Sequence, residues 1–507
     1  MLSARSAYID EKWYLTDPLF AEYCQTTFSG EHMWFTPDKK SRVPVSRQLY
    51  EKIKFFILSG MLRESERLPS SRALGKDLDI ARSTVLEAYD QLIAEGYLET
   101  RQGSGTTVAR GIVVMARTSV ADAPARICAD ERHSGEGQHS AHISFRSGIP
   151  DLEAFPKKEW AKIYARVSES LPSTSFRYGE AEGVWELREA IAAYLFRMRG
   201  IKVSPRRVMI TSGSTQGLSL VARLLRKKGD VVFVEDPAHT GMAAVVNRAG
   251  LRVQGVGVDA QGMDVSALQK FLAAPGADVA FVYTTPSHQY PLGAILPIQR
   301  RQALVRFARE MSCAVVEDDY DSEFRYEGAP TSALYELDPE MVIYLGSFSK
   351  ILSPALRLGF ALIPESMMDD WRREKRYMDV HTDALSQYAL AAFISKGELE
   401  RHIWKMKKIY ARKRNHLLQC LAKTFGGAVT VRGQATGLHL VASFADIAFS
   451  DAVTETLYAR GVKVYPVERY SLNGDGSHAN EIILGYSHLT HEEISRGLEI
   501  IKKTLRP

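Results

Sequence analysis

From about residue 142 onward, short apolar runs alternate with stretches of helical periodicity. Strand candidates are Val208-Met209-Ile210, Val231-Val232-Phe233-Val234, Val279-Ala280-Phe281-Val282-Tyr283 and Ala314-Val315-Val316. Buried-strand runs separated by helices are the pattern of an α/β domain with a mostly parallel sheet. No internal repeat or low-complexity tract interrupts it. A chain of 507 residues exceeds what a single core holds, so at least one further domain is expected.

Composition narrows the class. Hydrophobic residues make up 45% and charged residues 25% of the chain, the balance of an ordinary soluble globular protein. The net charge of +5 is a mild basic bias, compatible with nucleic acid without being diagnostic of it. Cys24, Cys128, Cys313 and Cys420 are far apart and form no C-x-x-C pair. That argues against a disulfide framework or a zinc site, so no metal is expected and a reducing cytoplasm fits. The first residues hold no signal-peptide apolar core, and no uncharged apolar stretch of about 18 residues occurs, so no membrane span is expected. Residues 1–41 form an aromatic-rich extension, read as an arm packing on a domain surface or across a dimer. Residues 111–141, rich in Ala, Ser, Gly, Asp and Glu without a period, read as a flexible linker.

Between them, residues 42–110 read as a compact helical unit. Val45, Leu49, Ile53, Phe56 and Ile57 recur at helical spacing, and Gly60 ends that helix. Pro69-Ser70-Ser71-Arg72 opens a short helix, and a second begins near Ala81-Arg82-Ser83-Thr84 with Val85, Tyr89, Leu92 and Ile93 on one face. Gly96 stops it. Tyr97-Leu98-Glu99-Thr100 and Thr106-Thr107-Val108 then read as two strands joined by a glycine-rich tip around Gly103. Helix, helix, helix, hairpin is the order of a winged helix-turn-helix. Its recognition helix enters the major groove with its N-terminal residues facing base edges, here Arg82, Ser83 and Thr84. Arg72 sits where a guanidinium and helix N–H groups meet a phosphate, and Gly103 lets the wing backbone approach the minor groove. The unit carries 11 Lys and Arg against 9 Asp and Glu, so charge alone does not separate DNA contact from protein contact.

The large segment carries the elements of a pyridoxal-phosphate site. Such a site needs a lysine to form a Schiff base, an acid beside the pyridine nitrogen, a hydroxyl near the ring oxygen and a phosphate cup. Ser347-Phe348-Ser349-Lys350 supplies the lysine, and Ser347 and Arg357 can ligate phosphate from the same loop. Thr211-Ser212-Gly213-Ser214-Thr215-Gln216-Gly217 lies between a strand and an apolar helix, where Gly213, Ser214 and Thr215 offer free N–H groups at a positive helix end. Glu317-Asp318-Asp319-Tyr320 follows a strand, at the edge where an open α/β sheet places ligand groups. Asp318 would keep the pyridine nitrogen protonated and Tyr320 would hydrogen-bond the ring oxygen.

Two resemblances follow. Leu68-Pro69-Ser70-Ser71-Arg72-Ala73-Leu74-Gly75, Ala81-Arg82-Ser83-Thr84-Val85, Leu92, Glu95-Gly96-Tyr97-Leu98 and Gly103-Ser104-Gly105-Thr106 resemble the GntR-type winged helix. This implies DNA contacts from Arg72, Arg82, Ser83, Thr84 and Gly103. The lysine, acid and phosphate motifs resemble the fold-type-I aminotransferases. With Thr285-Pro286-Ser287-His288-Gln289-Tyr290-Pro291-Leu292-Gly293 and the run Glu317 to Tyr326, nearly all of residues 42–507 is similar to the MocR/GabR class of regulators. The resemblance implies Lys350 as the Schiff-base lysine, Asp318 on the pyridine nitrogen, Tyr320 on the ring oxygen and Arg357 on the phosphate. It further implies a head-to-tail homodimer in which Tyr178 reaches the neighbour's phosphate.

The chain also departs from the enzymes it resembles. Gln289-Tyr290-Pro291 stands where they carry an Asn-Pro turn, His239 where they carry a stacking aromatic, and Ile483 where an arginine grips the substrate carboxylate. Arg469 is a candidate replacement clamp for an effector carboxylate, with a surface arginine as the alternative. The expected fold is an N-terminal winged helix-turn-helix (42–110) followed by a fold-type-I aminotransferase-like domain (142–507). The expected function is a cytoplasmic transcriptional regulator. It would bind paired half-sites on double-stranded DNA and sense an amine or amino acid through Schiff-base exchange at Lys350. A DNA-binding aminotransferase and a sensor of pyridoxal phosphate itself are the alternatives.

Overall fold

The computed structural model describes residues 36–39, 41, 43–101, 105–110, 142–272, 278–328 and 332–505. Gly103, the linker 111–141 and most of the N-terminal extension lie outside the described residues. The rest falls into two compact units, divided in the linker.

In the small unit, α1 (Val45–Leu58), α2 (Ser71–Asp77) and α3 (Arg82–Ala94) precede a hairpin of β1 (Leu98–Arg101) and β2 (Gly105–Val108). Gly60 and Gly96 take left-handed backbone just past α1 and α3, as their place in the sequence requires. Leu49, Ile53 and Ile57 meet Leu74, Val85, Leu92 and Leu98 in one apolar core. Gly75 lets α2 and the turn before α3 close up, since a Cβ there would lie 3.1 Å from the Ile80 carbonyl oxygen. Lys39, at the end of the extension, pairs with Asp79 in that turn at 2.6 Å.

The large unit is built on β4 (Val208–Thr211), β5 (Val231–Asp236), β6 (Arg252–Asp259), β7 (Gly262–Met263), β8 (Val279–Thr284), β9 (Ala314–Asp319), β10 (Val342–Ser347) and β11 (Gly359–Leu362). They form one sheet in the order β4-β11-β10-β9-β8-β5-β6-β7. Strands β10, β9, β8, β5 and β6 are parallel neighbours. β11 runs against both β10 and β4, so β4 again points with the parallel set. The carboxyl ends of β4, β8, β9 and β10 therefore share one edge. A smaller sheet of β12 (Val429–Arg432), β13 (His439–Phe444), β15 (Tyr465–Pro466) and β16 (Glu481–Gly485) follows, and β14 (Val462–Lys463) pairs with β3 (Ile143–Ser144). No helix among the described residues is long and apolar enough to cross a membrane.

The four strands read from the sequence, β4, β5, β8 and β9, are buried along their whole length, which is why each contains a continuous apolar run. Neither β10 nor β11 is among those strand candidates. The short Gly359-Phe360-Ala361-Leu362 run of β11 follows the lysine motif, and its antiparallel pairing is a tertiary choice.

Backbone contact between β11 and the loop after β4 fixes the sheet edge. A Cβ on Gly359 would lie 2.8 Å from Gly213 Cα and 2.9 Å from the Gly346 carbonyl oxygen. Neither is a flexible side chain. Gly359→Ala is expected to destabilise the large unit by about 1–3 kcal/mol, read as a lower thermal unfolding midpoint; an unchanged midpoint would contradict this packing.

Candidate functional sites in the two units

In the small unit, Ser70 caps α2 by accepting the Ala73 N–H at 3.2 Å. The Tyr89 hydroxyl donates to the Pro69 carbonyl at 3.0 Å and ties α3 to that cap. These contacts set the angle of the helix pair. Arg72, Arg82 and Ser83 are exposed and Thr84 is half-buried, at the N-terminal ends of α2 and α3. The Arg82 Nε donates to Ser71 Oγ at 3.3 Å, linking the two ends into one polar surface. Arg67, not singled out from sequence, is an exposed cation packed against the wing. A Cβ on Gly105 would meet its Nε at 3.0 Å.

In the large unit, the carboxyl ends of β4, β8, β9 and β10 surround a cavity of about 250 Å³. Lys350, Asp318, Tyr320, Ser347, Arg357, Gly213, Ser214, Thr215 and His239 all line it, so residues far apart in sequence come together as expected. Gly148, which sequence reading missed, is the floor under the lysine. Its backbone is left-handed, and a Cβ there would lie 3.0 Å from Lys350 Nζ. Burial holds the Lys350 amine below its ordinary pKa; Asp321 and Asp318 pull it up, while Arg146 and Arg357 add to the lowering.

Asp318 is buried at the end of β9. One carboxylate oxygen accepts the Tyr283 hydroxyl at 2.6 Å, and the other has no partner. Tyr283 was legible only as a strand residue; its role follows from the β8–β9 register. Burial raises the Asp318 carboxyl to about 6.

The opposite end is a cradle. Gly213, with φ of 113°, caps the helix Ser214–Leu225. Arg357 takes left-handed backbone (φ 49°) and donates to the Ser212 carbonyl. A Cβ on Gly213 would lie 3.2 Å from the Arg357 guanidinium. The Ser347 hydroxyl accepts the Ser349 N–H at 3.1 Å, which shapes the turn leading to Lys350. An unpartnered acid oxygen, a lysine and a glycine-floored cradle beside a helix start fit the ring nitrogen, aldehyde and phosphate of pyridoxal phosphate.

One placement differs from expectation, and two others carry further detail. Arg469 does not line the cavity. It pairs with Asp451 at 2.8 Å and also donates to Thr454, because the start of the helix Asp451–Ala459 offers a carboxylate and a hydroxyl there. Tyr178, expected to act in a partner's cavity, is 88% exposed within its own chain, with the His381 ring 6.1 Å away. The Tyr320 hydroxyl donates to the His288 carbonyl at 2.8 Å, so contact with a ligand's ring oxygen requires it to turn from that bond.

The departures from the enzyme pattern have structural reasons. Gln289 is spent on the backbone, donating to the Pro237 carbonyl and accepting the Leu292 N–H. His239 caps the helix Thr240–Arg248 with Nδ1 and presents its ring 5.4 Å from that of Tyr290. Ile483 is buried with Leu292, Val441 and Val467. At the cavity wall, which His439 lines, His288, Asp321 and His439 bring ligand-type atoms within 4.8 Å of one another. They are held by hydrogen bonds: His288 Nδ1 to Asp321 at 3.0 Å and His439 Nε2 to the Pro291 carbonyl at 3.0 Å. A surface cleft of about 350 Å³ among Glu182, Trp185, Arg188 and Arg372 offers no lysine.

The raised Asp318 carboxyl makes a stability prediction. The folded state keeps this proton to about pH 6, whereas the unfolded chain loses it near 3.8. The folding contribution is therefore fully present at acid pH and lost as pH rises through that window. Asp318→Asn removes the loss. Without cofactor, the variant is expected to be the more stable protein near neutral pH, by up to ~3 kcal/mol, with the gap closing toward pH ~4. A gap independent of pH in thermal unfolding would contradict it.

Comparison with known proteins identifies the family of each unit. Residues 142–501 match the family described as "Aminotransferase class I and II", and residues 45–108 match "Bacterial regulatory proteins, gntR family". The chain is 32% identical to "Probable rhizopine catabolism regulatory protein MocR" of Rhizobium meliloti, covering 92% of this chain and 94% of that protein. It is 30% identical to the "HTH-type pyridoxine biosynthesis transcriptional regulator PdxR" of Corynebacterium glutamicum, covering 90% and 94%. Among solved structures, the Pyrococcus horikoshii kynurenine aminotransferase superposes with a TM-score of 0.67 at 29% identity, over 72% of this chain and 91% of that one. The chain thus belongs to the MocR- and PdxR-type regulators of the GntR family, a winged helix-turn-helix joined to a fold-type-I aminotransferase class I and II domain.

Proposed function

We propose that this DNA-binding transcriptional regulator holds pyridoxal phosphate in its large unit and uses it to sense an amine-bearing small molecule. The observation that carries the reading is the buried Asp318 oxygen without a partner, facing a cavity that also contains Lys350 and the Arg357 cradle. Pyridoxal phosphate, when bound, supplies an aldehyde that combines reversibly with amines.

The chain's own residues do the rest. Asp318, fixed by Tyr283, accepts the hydrogen bond of a protonated ring nitrogen through its open oxygen. Arg357 and the N–H groups of Ser214 and Thr215 hold a phosphate at the helix start, with Ser347 beside them. Lys350, its amine held low by burial, spends more of its time as the neutral nucleophile than a surface lysine does. An incoming amine competes with it. That competition reaches DNA only if the liganded cavity favours one arrangement of the protein over another. In a head-to-tail homodimer, Tyr178 would reach the partner's cavity, and two winged helices would read paired half-sites in a cytoplasmic regulator. Arg72, Arg82, Ser83 and Thr84, with Gly103 at the wing, make the DNA contacts.

Two measurements test this reading. After reconstitution with pyridoxal phosphate, a visible absorption band is expected in the wild type and absent in Lys350→Ala, and one class of amine should shift it without turnover. No band would overturn the proposal. Sustained product formation with a keto-acid acceptor would make the chain an aminotransferase, and a DNA response to pyridoxal phosphate without any amine would make the cofactor the signal. For DNA, the combined Arg72→Ala, Arg82→Ala and Thr84→Ala variant is expected to bind its promoter duplex at least about 100-fold more weakly; unchanged affinity would remove these contacts.

A further inference from the structure

The cavity needs something to grip whatever accompanies the amine, and neither expected group is available. Ile483 is buried in an apolar cluster, and Arg469 is paired outside the cavity. Arg357 is turned to the Ser212 carbonyl in the phosphate cradle. Arg146 is different. It immediately precedes Ser147 and Gly148, both of which line the cavity on the lysine side. It is exposed, and among the described residues it makes no side-chain hydrogen bond or ion pair.

We propose that Arg146 is the carboxylate clamp of the effector site, so that the molecule sensed is an amino acid and not a simple amine. The inference rests on the cavity being the amine-sensing site described above.

Arg146 leaves the backbone beside the strand that would have carried the expected arginine. The Gly485 N–H, at the end of β16 and two residues beyond Ile483, donates to the Phe145 carbonyl at 2.9 Å. A Cβ on Gly485 would lie 2.1 Å from the Arg146 carbonyl oxygen, so glycine alone permits this approach and the backbone at Arg146 is pinned. A cation therefore stands on the loop that adjoins this strand. Its charge reaches the cavity. The main cause of the low Lys350 amine is burial, opposed by Asp321, and Arg146 adds to the lowering. Burial and Tyr470 push the Tyr290 phenol far up, and Arg146 acts against them.

The cavity wall that begins at the next residue supplies hydrogen-bond partners. Ser147 Oγ and the Tyr290 hydroxyl lie 2.9 Å apart and line the cavity. A carboxylate accepts about four hydrogen bonds, and a guanidinium fork with two neighbouring hydroxyls matches that demand. A simple amine presents no anion to this wall.

The experiment uses the full chain reconstituted with pyridoxal phosphate and reads the shift of its visible band. L-alanine is compared with ethylamine, and 5-aminopentanoate with butylamine. Each pair shares its amine-bearing carbon chain and differs in the carboxylate. In the wild type, at least one amino acid is expected to act at about 10-fold or more lower concentration than its partner amine. Arg146→Ala should erase that preference while the response to the simple amine moves less than about two-fold, and Arg146→Lys should restore it in part. Arg469→Ala serves as control and should keep the preference. Equal responses to both members of each pair, or a preference that survives Arg146→Ala, would overturn the clamp and leave the cofactor reading standing. A missing band would overturn that earlier reading itself.

Discussion

Asp318 is the point on which the large unit turns. Its carboxylate is buried with one oxygen bonded to Tyr283 and the other bonded to nothing. Leaving a buried charged acceptor unsatisfied costs about 1–3 kcal/mol or more, and this open oxygen belongs to a residue that lines the same cavity as Lys350. Its neighbour shows the contrast. Asp319 points to the other face of β9, where Arg199 at 2.9 Å and the Tyr344 hydroxyl at 2.8 Å satisfy it. The alternation of side chains along a strand thus divides two adjacent aspartates between a structural ion pair and an open ligand site.

The rest of the cavity is arranged around that open oxygen. Parallel strands bring the loops after β4, β9 and β10 to one edge; Gly359 lets backbone pass where a Cβ would not fit, and Gly148 and Gly213 take positive-φ backbone close against Lys350 and Arg357. Arg357 accepts a left-handed backbone to face the Gly213 cradle. Strain of about 1–3 kcal/mol at such a residue is held by the surrounding packing and is common at ligand sites.

Much of this was legible in sequence. The winged helix announced itself through cap, stop and turn residues, which act locally. The four β-strand runs were apolar because both faces are buried. Lys350, Asp318, Arg357 and Gly213 were found because they sit at strand ends within ordered motifs. What was not legible depended on register or on distant partners. Tyr283 acts through its neighbour strand, and Gly148 through a lysine some 200 residues away. Arg469 reads in sequence as either a clamp or a surface arginine, and the helix start at Asp451 claims it. Gly103, at the wing tip, lies outside the described residues.

The central claim is that one chain converts the occupancy of an amine site into a change in DNA affinity. It is tested most directly by titrating the cofactor-loaded full chain, bound to its own promoter duplex, with the amino acid that shifts its absorption band. Couplings of this kind fall at about 5- to 150-fold in affinity. A shift of that size in the wild type, absent in Lys350→Ala, is the expected result. DNA affinity that stays constant across saturation of the amine site would contradict it.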